Sequence, residues 1–265
     1  PQDQKDHYKE RLDKEIELIV HMGFTEYFLV VSDFIQWAYR NGIPVGPGRG
    51  SAAGSLVAWA LQITNLDPLK YNLLFERFLN PARSTPPDID TDLCSRRRDA
   101  VIKHVFDTYG VKRVSMVGTI NRFRPRSALG DVAKAHGWTT VRIRELTNQL
   151  PGAFFARRQE EEKKTDGDSP FRHLRESALL TGEREVIDEA EALLKLPRHL
   201  SVHAGGLVIA PDHLTDLIAL MPSGNKGINI TQFELEDVEA LGLVKIDLLG
   251  IRGLTVLGDV AEFVG

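Results

Sequence analysis

The sequence predicts an α+β fold in which a mixed β-sheet is packed with helices and interrupted by a helical insertion. Apolar residues recur at helical spacing near the start of the chain, and strand patterns occur on both sides of a long central segment. Between Ser127 and Leu196 the strand patterns disappear and helical patterns replace them. Helices that alternate with strands, followed by a helical stretch, indicate one sheet with a separate helical subdomain.

The composition is that of a globular protein and excludes the disordered and collagen-like classes. The chain has 265 residues, 42% of them hydrophobic, which is enough for one large domain or two ordinary ones. The formal net charge of −4 arises from 33 basic and 37 acidic residues. Any affinity for nucleic acid must therefore come from local basic patches.

Cysteine usage and hydropathy predict a cytoplasmic protein with no membrane partner. Cys94 is the only cysteine, so an intrachain disulfide and a cysteine zinc cluster are excluded. No apolar run reaches the roughly 18 residues of a membrane span, and the start of the chain has no signal-peptide pattern. Because the sequence begins at Pro1 rather than methionine, we also expect it to be a piece of a longer protein.

Two helices are predicted first, at Asp3 to Met22 and at Glu26 to Arg40. The first is typical of an amphipathic surface helix, with one apolar face formed by Tyr8, Leu12, Ile16, Ile19 and Val20. The second carries a stripe that we expect in the core, formed by Phe28, Val31, Phe34, Ile35 and Ala38.

A glycine-rich loop from Val45 to Ser55 precedes a predicted helix at Leu56 to Ile63. Glycines let backbone N–H groups approach a phosphate closely, and the start of a helix adds unpaired donors and partial positive charge. Arg49 and the Ser51 hydroxyl add a positive charge and a further hydrogen bond. The loop therefore predicts a phosphate site, and a tight turn that needs positive φ angles is the structural alternative.

Three acids occupy every second position in the stretch from Thr85 to Leu93, namely Asp88, Asp90 and Asp92. On a strand, alternate side chains share a face, so these carboxylates would repel one another. Divalent cations such as Mg²⁺ resolve the repulsion, since they take carboxylate oxygens and two of them can bridge a transferring phosphoryl group. A solvated acidic edge strand is the alternative.

The segments beside these acids are predicted to be structural. Leu73, Leu74, Phe75 and Phe78 are expected in the core, around Glu76 and Arg77. A helix at Arg96 to Tyr109 and a strand at Arg113 to Val117 follow the acids, and the charged stretch Arg157 to Asp168 is expected to be an exposed loop. Arg122, Arg124 and Arg126 either contact a phosphate backbone or lie on a solvated face.

Strand patterns return at Gly206 to Ala210, at Ile228 to Thr231 and at Leu243 to Leu248. In the last of these, Lys245 and Asp247 share the face opposite the apolar side chains. The pair is either a surface ion pair of little energetic value or a further metal-binding carboxylate beside a cation.

His199 and His203 lie four residues apart, a spacing that on a helix would suit a metal ion. Gly205 and Gly206 follow at once, and no third ligand is evident. We therefore expect a turn or a substrate-facing loop here rather than a zinc site.

Five motifs, in one order and spread across nearly the whole chain, resemble the catalytic core of the bacterial C-family DNA polymerases, the DNA polymerase III alpha subunits. They are Gly46-Pro47-Gly48-Arg49-Gly50-Ser51, Leu73-Leu74-Phe75-Glu76-Arg77-Phe78-Leu79-Asn80-Pro81, Pro87-Asp88-x-Asp90-x-Asp92, His203-Ala204-Gly205-Gly206 and Gly242-Leu243-Val244-Lys245-x-Asp247. The resemblance implies a palm of the polymerase beta-like nucleotidyltransferase type with an inserted helical thumb. The implied palm comprises residues 1–121 and 198–265, and the implied thumb comprises residues 122–197.

The resemblance also implies roles for individual residues. Asp88, Asp90 and Asp247 match the catalytic, metal-binding aspartates of the family, whereas Asp92 matches an acid that is not counted as essential. The implied nucleotide-binding residues, which match the loop and the basic positions around the incoming triphosphate, are Arg49, Gly50, Ser51, Arg77 and Lys245.

The implied activity is template-directed DNA synthesis, in which two Mg²⁺ ions assist nucleotidyl transfer from a dNTP to a primer 3′-hydroxyl. The implied partners are primed DNA template, dNTP and, in the full-length parent, the sliding clamp and other replisome subunits. The family's amino-terminal phosphoesterase-like domain is not in this sequence, which stops at Gly265, about where the fingers begin. We therefore expect the fragment to fold but to be inactive alone, and the arginine-rich segment Arg122 to Pro125 leaves a replicative or an error-prone parent open.

Two other functions fit parts of the sequence. A dinucleotide-binding dehydrogenase would use Gly48-x-Gly50-x-x-Ala53, but the acid required about 20 residues later and a long preceding strand are not convincing. A non-catalytic DNA-binding module would keep only the palm-like shape. Metal binding in the presence of nucleotide separates the polymerase from both alternatives.

Overall fold

The computed structural model describes residues 2–82, 87–150, 169–177, 181–224 and 227–264, which form a mixed α+β structure. The helices are α1 (Gln2–His21), α2 (Thr25–Arg40), α3 (Leu56–Ala60), α4 (Arg98–Tyr109), α5 (Pro125–Ala135), α6 (Thr140–Asn148), α7 (Arg172–Ser177), α8 (Thr181–Ala192), α9 (Leu235–Ala240) and α10 (Arg252–Val264). The strands are β1 (Asp90–Cys94), β2 (Val114–Arg122), β3 (Pro197–Ile209), β4 (Leu220–Pro222), β5 (Asn229–Thr231) and β6 (Lys245–Ile251). Short 3₁₀ helices occur at Gly50–Gly54, Phe75–Arg77 and Leu214–Asp216. The predicted combination of one mixed sheet with packed helices is confirmed.

The strands form one open sheet in the order β1-β6-β3-β2-β5-β4. β6 pairs with β1 in parallel and with β3 in antiparallel orientation. In this register Asp247 lies opposite Asp90 on one side and opposite Gly206 on the other. Long-range pairing thus brings three sequence motifs side by side.

The chain divides into two compact units. The first unit comprises Pro1–Thr119 and Ser201–Gly265, and the second comprises Ile120–Leu200. The implied identities of these regions as palm and thumb remain predictions.

The main core of the first unit combines α2 and α4 with the central strands. The predicted stripe on α2 is fully buried, with exposures of 0–2% at Phe28, Val31, Phe34, Ile35 and Ala38. Leu93 of β1 and Leu248 of β6 join this core and are both 0% exposed. Burial of each such side chain stabilises the fold by roughly 1.5–3 kcal/mol, so this cluster fixes the sheet on which the acids lie.

The first helix departs from its predicted surface pattern. Ile16 and Val20 are 44% and 58% exposed, whereas Glu15 on the same helix is completely buried. The reason is that Glu15 has buried hydrogen-bond donors in another segment, including the Ser55 hydroxyl. Tertiary partners therefore override the apolar periodicity of α1.

Three further local predictions need correction. The helix predicted to reach Ile63 ends at Ala60, because the chain reverses at Gln62, whose φ angle is 59°. Leu74 is 58% exposed rather than in the core, because its segment packs through its backbone against Gly54. His199 and His203 lie in β3 rather than in a turn, because this strand begins at Pro197 and pairs within the sheet.

Some predictions cannot be compared with the structure, since Thr85, Pro86 and the charged stretch Arg157 to Asp168 lie outside the described residues. In the part of the chain that is described, no single helix is long and apolar enough to cross a membrane. Only α1 and α2 taken together, bent by 111° at their junction, reach that length and apolarity.

The second unit is a set of helices with its own apolar core, formed by Ala128, Leu129, Val132, Ala133, Leu150, Phe171, Leu174, Val186, Ile187 and Ala190. α5 begins with Pro125, where the missing N–H is tolerated, and the Arg124 N–H donates to the Ser127 hydroxyl. The two ends of the unit are joined by backbone hydrogen bonds between Phe123 and both Lys195 and Leu196. This unit therefore has its own apolar core, and its first and last segments are held together by backbone hydrogen bonds.

Candidate active site

Three carboxylates meet at the β1–β6 pair. One oxygen from each of Asp88, Asp90 and Asp247 lies within 4.8 Å of the others. Asp90 begins β1 directly opposite Asp247 in β6, whereas Asp88 precedes the strand. The predicted acidic strand is therefore shorter than expected, and Asp88 reaches the cluster from the preceding segment.

Tyr27 on α2 positions the segment between Asp88 and Asp90. Its hydroxyl accepts a hydrogen bond of 2.9 Å from the Ile89 N–H, and both residues are buried. Burial raises the pKa of the Tyr27 phenol well above its usual range, and the nearby carboxylates add to this shift. The neutral phenol thus anchors the acidic segment to the core helix.

The sequence interpretation missed Tyr27. Its spacing of four residues from Val31 places it on the buried face of α2, which is the only local signal. That spacing cannot reveal its partner, because Ile89 comes from a distant part of the chain.

Asp92 is not equivalent to the other acids. Its Oδ1 accepts a hydrogen bond of 3.1 Å from Nη1 of Arg49, and it is not part of the clustered carboxylates. Arg49 also lies 3.7 Å from Oδ2 of Asp90. The glycine-rich loop that carries Arg49 approaches β1 closely. A Cβ atom on Gly46 would lie only 2.8 Å from the Asp92 Cβ. The alternating spacing therefore does not bring Asp92 into the carboxylate cluster.

Lys245 is the internal cation of the site. Its Nζ donates to Oδ2 of Asp247 at 3.0 Å and lies 3.5 Å from Asp88 and 3.8 Å from Glu239. Burial opposes its charge, but the hydrogen bond to Asp247 and the surrounding carboxylates outweigh burial and raise the pKa of Lys245. The side chains of Lys245 and Asp247 are only 15% and 10% exposed, so the reading as a surface ion pair is wrong.

The carboxylates repel one another in spite of these cations. Burial, followed by the charges of Asp88 and Asp247, raises the pKa of Asp90 above its ordinary value, and Arg49 and Lys245 reduce the shift without cancelling it. The surroundings therefore disfavour the charged form of Asp90.

One oxygen of the cluster is suited to a metal ion. Oδ1 of Asp247 is buried and has no hydrogen-bond partner, whereas Oδ2 of the same carboxylate is occupied by Lys245. A buried carboxylate oxygen without a donor is costly, and a hard divalent cation would satisfy it. The donor set of Asp88, Asp90 and Asp247 therefore fits Mg²⁺ or Mn²⁺.

A family model described as the bacterial DNA polymerase III alpha NTPase domain matches residues 1–250. The chain belongs to this DNA polymerase III alpha family. Curated relatives named DNA polymerase III subunit alpha are 45% identical over 250 residues in Thermus aquaticus and 44% identical over 263 residues in Escherichia coli strain K12. A relative of the same name from Xylella fastidiosa strain Temecula1 is 43% identical over 263 residues.

These alignments cover 94–97% of the chain but only 20–22% of the relatives. The chain thus spans about a fifth of the length of the DNA polymerase III alpha subunits that it matches.

Membership of the DNA polymerase III alpha family excludes the dehydrogenase reading, and the structure gives the physical reason. The glycine loop follows an isolated bridge between Val45 and Leu93 rather than a long strand, and it leads into the 3₁₀ helix Gly50–Gly54. A dinucleotide fingerprint requires a strand, a tight turn and a helix in one βαβ unit. The glycine-rich loop does not form that arrangement.

The predicted phosphate loop is a tight turn with positive φ angles of 103° at Gly48 and 63° at Gly50. Ser51 follows in the 3₁₀ helix and is half-buried.

Arg77 lies at the end of the 3₁₀ helix Phe75–Arg77 with an exposed side chain and forms no ion pair with a described residue. The structure therefore brings Arg49 and Lys245 to the acids but does not bring Arg77 into contact with them.

His203 folds back over Gly206 beside the acid cluster. Its Nδ1 accepts a 2.6 Å hydrogen bond from the Gly206 N–H and lies 3.9 Å from Oδ1 of Asp247. A Cβ atom at position 206 would lie 2.7 Å from this nitrogen, so a larger residue would displace the His203 ring. Because Nδ1 accepts, the neutral ring carries its proton on Nε2. Within the described residues, the only group of acids and histidines suited to a metal ion is the aspartate cluster.

Proposed function

We propose that this chain is the palm and thumb of a template-directed DNA polymerase that transfers a nucleotidyl group from a dNTP to a primer 3′-hydroxyl. The observation that carries the proposal is the clustering of Asp88, Asp90 and Asp247, with one buried oxygen left for a cation, in a chain of the DNA polymerase III alpha family. Residues 1–121 and 198–265 would form the palm, and residues 122–197 would form the thumb. The separate apolar core of the helical unit supports this division.

The three acids would hold two Mg²⁺ ions. When bound, these ions would lower the pKa of the primer hydroxyl and neutralise charge that develops on the triphosphate. Asp247 offers Oδ1 while Lys245 neutralises Oδ2 of the same carboxylate. Tyr27 keeps the segment of Asp88 and Asp90 in place through Ile89. Positioning and electrostatics are therefore the main contributions of these side chains.

The nucleotide-binding set would be Arg49, Gly50, Ser51, Arg77 and Lys245. Arg49 is 45% exposed and lies on a loop, so it can exchange Asp92 for a triphosphate oxygen without breaking a buried contact. Gly50 lets the backbone approach a phosphate, and Ser51 offers a hydroxyl. Arg77, which has no ion-pair partner among the described residues, would approach once the nucleotide supplies a negative charge.

We also propose the partners of the activity. The thumb would contact the phosphate backbone of a primed DNA template without reading its sequence, which makes binding sensitive to salt. A sliding clamp and other replisome subunits would act on the full-length parent, in the cytoplasm. Because the chain spans about a fifth of its relatives, we propose that it binds metal and nucleotide but extends primers poorly by itself.

Calorimetric titration of the chain with Mn²⁺ or Mg²⁺ in the presence of a dNTP tests the proposal. Two ions should bind to the unaltered chain, and Asp88→Ala or Asp90→Ala should abolish their binding while Asp107→Ala, on the exposed face of α4, should not. Absence of metal binding in the unaltered chain would contradict a catalytic palm and favour a non-catalytic DNA-binding module. In a polypeptide of the relatives' full length, Asp90→Ala should abolish primer extension, whereas robust extension by these 265 residues alone would refute the proposed dependence on further domains.

A further inference from the structure

Glu15 is a buried charged residue that lies on α1, outside the acid cluster. Its side chain is 0% exposed, and both of its carboxylate oxygens accept hydrogen bonds. Oε2 accepts hydrogen bonds from the Ser55 hydroxyl at 2.9 Å and from the Val57 N–H at 3.1 Å. These donors lie at the start of α3, directly after the 3₁₀ helix Gly50–Gly54. Glu15 therefore fixes the exit of the glycine loop.

Arg11 lies one turn before Glu15 and contacts two separate backbone segments. Its Nε donates to Oε1 of Glu15 at 2.6 Å, and its Nη2 donates to the carbonyls of Gly54 at 3.0 Å and Leu73 at 3.3 Å. The guanidinium also lies 5.9 Å from the centre of the Phe75 ring. One side chain thus links the end of the glycine loop to the segment that carries Arg77.

The two linked segments are in direct contact. A Cβ atom on Gly54 would lie 2.5 Å from the Leu74 carbonyl oxygen, so the backbones approach as closely as glycine allows. The 3₁₀ helix Gly50–Gly54 then presents Ser51, and the 3₁₀ helix Phe75–Arg77 presents Arg77. A change of a few tenths of an ångström between these segments would change the distance from Ser51 to Arg77.

We infer that Arg11 and Glu15 form a positioning clamp for the nucleotide, although neither side chain contacts the acid cluster. The clamp sets the distance between the glycine loop and the Arg77 segment, so that Ser51 and Arg77 engage the same triphosphate. Stability alone is a poor account of the pair, since buried ion pairs are often replaced by apolar residues without loss. The planar guanidinium of Arg11 hydrogen-bonds to two carbonyls and a carboxylate at once. It therefore fixes the relative positions of the segments that carry them. The inference rests on the proposed nucleotide site.

Glu15→Gln in the 265-residue chain is the main test. Glutamine keeps the shape and an acceptor oxygen, but it removes the charge that holds Arg11. Calorimetry well below the melting temperature should show the dissociation constant of Mn²⁺–dNTP rising by about tenfold, the effect of losing one charge-assisted hydrogen bond. Binding of Mn²⁺ without nucleotide should stay within about twofold, because the acids are untouched. A purely structural role would instead lower the melting temperature and leave both constants unchanged.

Asp107→Asn is the matched control, because Lys103 and Asp107 form an ion pair of the same spacing on the exposed surface of α4. It should change neither constant. Arg11→Lys is the second variant, since lysine keeps the charge, but its single ammonium nitrogen cannot take both the Nε position beside Glu15 and the Nη2 position beside the two carbonyls. It should weaken dNTP binding and speed amide hydrogen exchange at residues 50–55 and 73–77.

Each outcome of these measurements either supports or refutes the clamp. If the unaltered chain binds metal and dNTP and both folded variants bind them equally well, the clamp is refuted while the proposed function stands. If the unaltered chain binds no nucleotide with metal, the proposed function fails and the clamp fails with it. If Glu15→Gln does not fold, Arg11→Lys decides, and if neither variant folds, the pair is a stability element and the inference is wrong.

Discussion

Lys245 in the first unit and Arg175 in the second each contact more than one acid, but their surroundings differ. Lys245 is 15% exposed and lies among Asp88, Asp247 and Glu239. Arg175 is 40% exposed and pairs with Asp188 and Glu191 on the surface of the helical unit. Removal of water strengthens charge interactions, whereas solvent and salt weaken exposed pairs. The first unit therefore holds its charges in a cluster largely shielded from water, and the second uses charge as a weak surface link between helices.

The largest expected effect compares two acids of the first unit. Asp247→Asn should weaken Mn²⁺ binding by more than about tenfold, since even outer partners of metal sites contribute that much. The variant should stay folded, because Lys245 keeps Asp88 and Glu239 and because one source of repulsion at Asp90 is removed. Calorimetry and a thermal melt measure the two quantities.

Asp92→Asn is the matched control for this change. Asp92 contacts Arg49 and lies outside the acid cluster, so its substitution should leave Mn²⁺ affinity within about threefold. Equal losses in both variants would show that Asp92 contributes as much to metal binding as Asp247 does, and unfolding of Asp247→Asn would show that this acid serves the core.

The next effect concerns stability without metal, in the presence of a chelator. Lys245→Met should lower the free energy of unfolding by about 1–3 kcal/mol, because it leaves partly buried carboxylates without their cation. Arg175→Met should lower it by about 1 kcal/mol or less, because Arg175 and Asp188 are 40% and 62% exposed to water. Urea denaturation measures both changes, and equal losses in the two variants would remove the distinction between the units.

The parts of the fold that follow local periodicity could be predicted from the sequence. The stripe of α2 is buried as expected, because a helix of this composition must cover its apolar face. Lys245 and Asp247 share one face of β6, where they are hydrogen-bonded to each other, while Ile246 and Leu248 lie in the core, because side chains on a strand alternate between faces. Both predictions need only the geometry of one element.

The site required long-range information that no local pattern contains. Alternation alone grouped Asp92 with Asp88 and Asp90, whereas the pairing of β1 with β6 places Asp247 there instead. The family resemblance supplied Asp247 as the third acid, since five motifs in order describe a whole chain rather than one element. Spacing within one strand could not supply it.

Glu15 shows the same limit in a helix. Arg11 and Glu15 have the spacing of an ordinary surface pair, and the apolar residues around them predict an amphipathic helix. Only the packing of α1 against the segments at Gly54 and Ser55 reveals that the pair is turned inward. A charged residue whose partners lie in another segment has no periodic signal.

The smallest expected effect is a pH dependence in the second unit. Nε2 of His136 lies 3.0 Å from Oε2 of Glu189, and this hydrogen bond raises the pKa of His136 above 6.5, with burial opposing and Glu185 adding to the shift. The folded state then binds its proton more tightly than the unfolded state. The stabilisation is complete below pH 6.5 and is lost as the pH rises through the folded pKa. Melting temperatures of the unaltered chain and of His136→Gln should therefore differ in acid and converge once the pH has risen past the folded pKa of His136. Glu189→Gln should remove the same difference, and about 1 M salt should reduce it, since exposed pairs are screened.

A difference that stays constant with pH would show that His136 acts by packing, and the contrast between buried and exposed charge would then rest on Lys245 and Arg175 alone.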